Sequence, residues 1–188
     1  MRYVTLIAWL TGLAVLLGGC AAAVVTGAGA GVLAAEDRRT IATMTEDEGI
    51  ELKTAQRVSD KVPGVHLNVT SYNRNVLLTG EAPNENARRD VERIARSVDN
   101  VRAVTNEMTI GPPTSLTSRA NDAYVTSKVK ARFVDAARFN PIHVKVVTEN
   151  QAVFLLGLVR RQEAKDAVDV ARTTEGVKRV VTVFEYLD

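Results

Sequence analysis

The chain has 188 residues, with 24 Lys plus Arg against 22 Asp plus Glu and a net charge of +2. That balance argues against nucleic-acid binding, which calls for a strongly basic domain, and a single cysteine, Cys20, excludes an internal disulfide. A hydrophobic fraction of 46% suits a globular chain, long enough for two small domains or one of ordinary size.

Met1, Arg2 and Tyr3 place one positive charge before an apolar run, Val4 to Leu17, that closes on Gly18 and Gly19. A charged start, a short apolar centre and small residues at the end make a secretory signal. The run is shorter than the ~20 apolar residues of a spanning helix. Leu17-Gly18-Gly19-Cys20 resembles the bacterial lipobox, in which a leucine and two small residues precede a cysteine. This resemblance implies a signal peptide over residues 1–19 and a mature chain beginning at Cys20, which carries a thioether-linked diacylglycerol and an N-acyl chain such as palmitate. Each buried methylene is worth ~0.8 kcal/mol, so two or more acyl chains hold stably where one does not. Ala21 stands where a sorting aspartate would retain the protein at an inner membrane, so the same resemblance implies the outer membrane of a two-membraned cell.

Residues 20–46 read as a lipidated flexible linker. Gly27-Ala28-Gly29-Ala30-Gly31 has neither the preceding strand nor the following helix of a dinucleotide-binding loop, so it reads as spacer. From there the chain repeats itself. His66-Leu67-Asn68-Val69-Thr70 aligns with His143-Val144-Lys145-Val146-Val147, and Val76-Leu77-Leu78-Thr79-Gly80 aligns with Val153-Phe154-Leu155-Leu156-Gly157 at the same offset. With one deletion the match continues from Ile94-Ala95-Arg96 to Val170-Ala171-Arg172. Two copies of one unit therefore occupy residues 47–113 and 114–188.

Each unit starts with a helical stretch, Asp47 to Val62 or Arg119 to Ala137. An alternating strand follows, Leu67 to Tyr72 or Ile142 to Thr148, then a tight turn at Asn73-Arg74 or Asn150-Gln151. The return strand, Val76 to Gly80 or Val153 to Gly157, leads into a second helix, Asn84 to Val98 or Arg161 to Thr174. Asn84 is an expected N-cap without a counterpart in the second copy. A last strand, Val101 to Ile110 or Val177 to Leu187, completes the order αββαβ, and Gly111-Pro112-Pro113 separates the copies. Gly80 and Gly157 are expected at strand ends, where a side chain would obstruct the following helix.

This order resembles the BON domain, whose hallmarks are a hairpin closing on glycine, a helix with an Ile-Ala or Val-Ala pair, and a Gly-Val or Asn-Val turn before the last strand. Here they are Gly80 and Gly157, Ile94-Ala95 and Val170-Ala171, and Asn100-Val101 and Gly176-Val177. Two such units behind a lipobox are similar in layout to the dual BON-domain outer-membrane lipoproteins of the DolP type. The resemblance implies an α+β chain of two tandem αββαβ domains, each a three-stranded mixed sheet packed by two helices, lipid-anchored on the periplasmic face of the outer membrane.

No catalytic constellation is expected. His66 and His143 are equivalent by repetition, which marks them as shared scaffold, and neither has the linear spacing of a zinc site. Neither cofactor nor metal is expected. The copies differ in charge: nine basic against ten acidic residues in the first, twelve against nine in the second. The excess clusters on the leading helix of the second copy, where Tyr124, Lys128 and Arg132 lie beside a core stripe of Val125, Val129 and Phe133, and Arg138 and Phe139 follow. In the resembling lipoproteins the corresponding helix contacts anionic phospholipid and carries an aromatic. The resemblance therefore implies a phospholipid-binding role for Tyr124, in service of envelope integrity, and the charge pattern adds Lys128, Arg132, Arg138 and Phe139 to the expected phospholipid-binding surface. The alternative is a protein-binding adaptor for an envelope assembly or cell-wall factor.

Overall fold

The computed structural model describes residues 36–188. The expected signal peptide, Cys20 and the linker up to residue 35 lie outside the described residues. The elements are α1 (Ile41–Lys61), β1 (His66–Tyr72), β2 (Asn75–Ala82), α2 (Glu85–Arg96), β3 (Ala103–Asn106) and β4 (Thr109–Ile110), then α3 (Leu116–Ala136), a 3-10 turn (Pro141–His143), β5 (Val144–Glu149), β6 (Ala152–Val159), α4 (Arg161–Arg172) and β7 (Arg179–Tyr186). Strands run β1-β2-β3 in one sheet, with β4 also on β2, and β5-β6-β7 in the other. Each hairpin is antiparallel, and each last strand joins the central strand in parallel. The fold is α+β, with four helices and two mixed sheets among the described residues.

Local chemistry sets the boundaries. The first helix begins at Ile41 rather than Asp47 because the Thr40 hydroxyl accepts the Thr43 N–H. Ser115 does the same for α3 through the Ser118 N–H. Asn84 caps α2, accepting from the Ala87 N–H at 2.9 Å. At α4 the Glu163 carboxylate reaches back to the Arg160 N–H at 2.7 Å. The last strand of the first copy is interrupted because the Asn106 side chain takes the Met108 N–H at 3.2 Å, and Met108 turns into the core.

Both hairpin turns have the left-handed backbone that asparagine tolerates: φ is 51° and 66° at Asn73 and Arg74, and 49° and 62° at Asn150 and Gln151. A buried carboxylate from each leading helix holds the turn. Asp47 accepts the N–H groups of Asn73 and Arg74 at 2.9 and 2.7 Å and the Ser71 hydroxyl at 2.7 Å. Asp122 accepts those of Asn150 and Gln151, both at 2.8 Å. The glycine expectation needs correcting. Gly80 and Gly157 lie inside β2 and β6, where a Cβ would come within 2.2 Å of the His66 carbonyl oxygen and 2.3 Å of that of His143. The obstruction is the neighbouring backbone, strand β1 for Gly80 and the 3-10 turn leading into β5 for Gly157, not the following helix.

Three apolar clusters hold the chain together. Val76 and Leu78 face α1 and α2, while Val153, Leu155 and Val159 face α3 and α4. The alternate residues of the central strands meet between the sheets, where Leu77, Phe154, Leu156, Leu158 and Tyr72 form a third cluster. Burial of such side chains is worth roughly 1.5–3 kcal/mol each. Each sheet is thus covered by its helices on one face and by the other sheet on the second. Polar ties run between the two copies: Asn68 donates to Glu149 at 2.7 Å, Lys145 pairs with Glu51 at 3.0 Å, and Arg102 pairs with Glu185 at 3.0 Å.

Residues Glu36–Arg39, expected as linker, dock on this body. Arg38 grips Glu163 through two hydrogen bonds, at 2.7 and 2.8 Å, and donates to the Leu158 carbonyl at 2.7 Å. That hydrogen bonding holds the Glu163 carboxyl down to about 2. The Arg39 guanidinium sits 3.8 Å from the centre of the Tyr72 ring. Glu36 accepts from Asn140 at 3.1 Å, and its carbonyl lies 3.1 Å from His143 Nε2.

Candidate functional site

Helix α3 turns Val125, Val129 and Phe133 into the core of the second copy. Half a turn around the helix, the face left to solvent carries Leu116, Ala120, Tyr124, Ser127, Ala131 and Val134. Its large members are well exposed: Leu116 80%, Tyr124 63% and Val134 64%. Small residues between them leave a shallow apolar stripe along the helix. Lys130 flanks it on one side and Lys128 on the other.

The five residues expected to bind phospholipid do not share one surface. Tyr124 and Lys128 belong together, the ammonium lying 5.3 Å from the ring centre. Lys128 also pairs with exposed Glu175 at 2.8 Å, and this hydrogen bond lowers the Glu175 carboxyl below its ordinary range. An exposed pair of this kind contributes little and separates readily. Arg132 points elsewhere, donating to the Val170 carbonyl at 3.2 Å and the Thr174 hydroxyl at 2.9 Å, where it caps the end of α4. Arg138 follows the left-handed Ala137 that ends the helix and stands 3.8 Å from Asp166. Phe139 is a core residue: 9% exposed, it packs edge-on against Phe133 at 5.0 Å between ring centres. It therefore leaves the candidate surface, while Leu116, Lys130 and Val134 join it. The exposure of residues at helical spacing from Tyr124 was the signal that could have found them.

The two histidines part company. His66 Nδ1 lies 2.9 Å from Glu81 Oε2, its cross-strand partner in the β1–β2 register. The position equivalent to Glu81 in the second copy is Leu158, so His143 has no such neighbour and instead meets Glu36 and, at 3.8 Å, Glu163. Glu149 stands close to the His66–Glu81 pair, and ligand atoms of all three lie within 4.8 Å of one another. Linear spacing gave no hint of this, because the three residues come from β1, β2 and β5.

Residues 46–112 and 121–188 each match the BON domain, and the chain belongs to that family. It is a dual BON-domain lipoprotein of the DolP type: it is 38% identical over 186 residues to the outer membrane lipoprotein DolP of Haemophilus influenzae, covering 97% of this chain and 96% of that one. It is also similar to the 21 kDa hemolysin of Actinobacillus pleuropneumoniae, at 30% identity over 154 residues, 80% of this chain and 79% of the relative. The osmotically-inducible protein Y of Escherichia coli is 26% identical over 133 residues, 69% of this chain and 66% of its own length. Among the described residues no helix is long and apolar enough to cross a membrane.

Proposed function

We propose that the chain is a non-enzymatic lipoprotein held by acyl chains on Cys20 at the periplasmic face of the outer membrane, where α3 lies on anionic phospholipid and supports envelope integrity. The observation that carries this is the exposed stripe of Leu116, Tyr124 and Val134, bordered by Lys128 and Lys130 on a helix already anchored by its other face. A tyrosine with an apolar body and a polar tip suits the headgroup boundary, and each lysine near an anionic surface adds ~1 kcal/mol. The chain enters the body at Glu36, docked against Asn140 and His143 just beyond the end of α3. Tethering through Cys20 would raise the local concentration at which a weak helix contact operates.

The test is sedimentation of the mature chain carrying Cys20→Ser, with no acyl anchor, on vesicles with and without phosphatidylglycerol. Binding to anionic vesicles alone, weakened by salt and lost in Tyr124→Glu with an unchanged circular-dichroism spectrum, supports the proposal. Equal sedimentation of Tyr124→Glu and the parent sinks it. The adaptor reading has its own observation: Ile41 and Leu52, each 69% exposed, share one face of α1 with Glu48 between them. Failure to bind any vesicle, with capture of an envelope protein that Leu52→Glu abolishes, favours that reading.

A further inference from the structure

We propose that His66, Glu81 and Glu149 form a divalent-cation site of zinc type that joins the two BON domains. The donors are His66 Nδ1 and one oxygen from each carboxylate, all within 4.8 Å of one another. One imidazole nitrogen with two carboxylate oxygens is a donor set for a borderline ion such as Zn²⁺. Bonds of about 2.0–2.2 Å in a tetrahedral site separate donors by roughly 3.3–3.6 Å, so binding draws the wider donors in by about 1 Å, while His66 Nδ1 loses its proton and exchanges its 2.9 Å contact with Glu81 for the ion, changes within reach of side-chain rotation. The adjoining cleft, lined by His66, Asn68, Arg119, Asp122 and Thr148, leaves room for a water as fourth ligand.

The surroundings favour a cation. Glu81 is 4% exposed and Glu149 9%. Glu81 accepts from His66, and Glu149 accepts from Asn68 at 2.7 Å through Oε2 alone, which leaves Oε1 to a metal while Asn68 orients the carboxylate. Among the described residues no lysine or arginine forms a salt bridge with either glutamate, and His66 is the one basic group paired with the cluster.

The repeat sharpens the point. At the equivalent place in the other copy the corresponding residues are His143, Leu158 and Tyr72, and there the chain supplies its own cations, with Arg38 on the Leu158 carbonyl and Arg39 over the Tyr72 ring. Two carboxylates replace an aliphatic and an aromatic side chain at the His66 end. His66 and Glu81 come from the first domain and Glu149 from the second, so a bound ion pins one sheet to the other.

The test is equilibrium dialysis of the full chain in detergent against Zn²⁺, with Mg²⁺ and Ca²⁺ in parallel. Saturable binding of one Zn²⁺ per chain is expected, weakened at least tenfold by Glu149→Gln, an isosteric change that keeps the Asn68 contact, and by His66→Ala, but not by His143→Ala. X-ray absorption at the zinc edge provides a check independent of any variant: nitrogen and oxygen neighbours support the site, whereas sulfur places the ion on Cys20 or methionine and overturns it. No saturable binding, or affinity unchanged in both Glu149→Gln and His66→Ala, overturns it as well.

Discussion

Asp122→Ala is a direct probe of how the second domain is built. The carboxylate is 4% exposed and accepts two backbone N–H groups, from Asn150 and Gln151, both at 2.8 Å. Hydrogen bonds to a charged group contribute about 1.5–3 kcal/mol each. Asn150 is exposed, so water can reach part of the turn after truncation, which places the loss near the lower end, roughly 3–4 kcal/mol in total. Asp122→Asn keeps an accepting oxygen but aims an amide at one N–H, so about half that loss is expected. Asp47→Ala should cost more, because Asp47 also binds the Ser71 hydroxyl and Arg39. Urea unfolding followed by circular dichroism measures the difference from midpoints at constant slope. If Asp122→Ala unfolds within 0.5 kcal/mol of the parent (about the scatter of surface substitutions), the carboxylate does not hold the hairpin and the reasoning fails.

Three further outcomes are expected. Phe154→Ala empties the cluster between the sheets, where Phe154 is 1% exposed, and should cost about 3–5 kcal/mol in the same unfolding measurement. Gly80→Ala meets both a positive φ of 109° and the His66 carbonyl, so it should destabilise by more than about 1 kcal/mol, whereas Gly111→Ala, with open space around it, should be nearly neutral by thermal unfolding. The depressed Glu163 carboxyl contributes stability that is present above its unfolded value near 4.3 and is lost as pH falls toward 2, because its protonation releases Arg38. Urea midpoints between pH 5 and pH 2.5 should therefore fall less in Arg38→Ala than in the parent; equal slopes would refute the assignment.

Much of the architecture was legible because it rests on local chemistry repeated twice. Asn73 and Asn150 mark their turns by tolerance of positive φ, Asn84 marks its helix start, and the alternation around Val76 and Val153 marks the central strands. What was not legible depends on partners distant in sequence. Thr40 and Ser115 are ordinary polar residues until the next turn of backbone presents its N–H. Phe139 reads as an aromatic beside basic residues, and only the left-handed Ala137 at the end of α3 folds its ring back against Phe133. The continuous apolar run of β6 is the trace of a strand covered on both sides, and its second cover is a sheet from the other copy.

Packing the sheets against each other has a consequence for where function can reside. A lone αββαβ unit leaves one sheet face open, a natural platform for a ligand. Here Leu77, Phe154, Leu156 and Leu158 spend both open faces on each other, so the remaining surfaces are the outer faces of the helices and the ends of the sheet pair. Duplication then frees each location to diverge. The outer face of α3 gains Leu116, Tyr124 and Val134 between lysines, while that of α1 keeps Glu48 between Ile41 and Leu52. One end of the sheet pair is sealed by Glu36–Arg39, and the other holds His66 between two buried carboxylates. A surface contact and an internal joint can thus change independently, because Tyr124 and Glu149 lie on different elements and share none of their hydrogen-bonding or ion-pair partners.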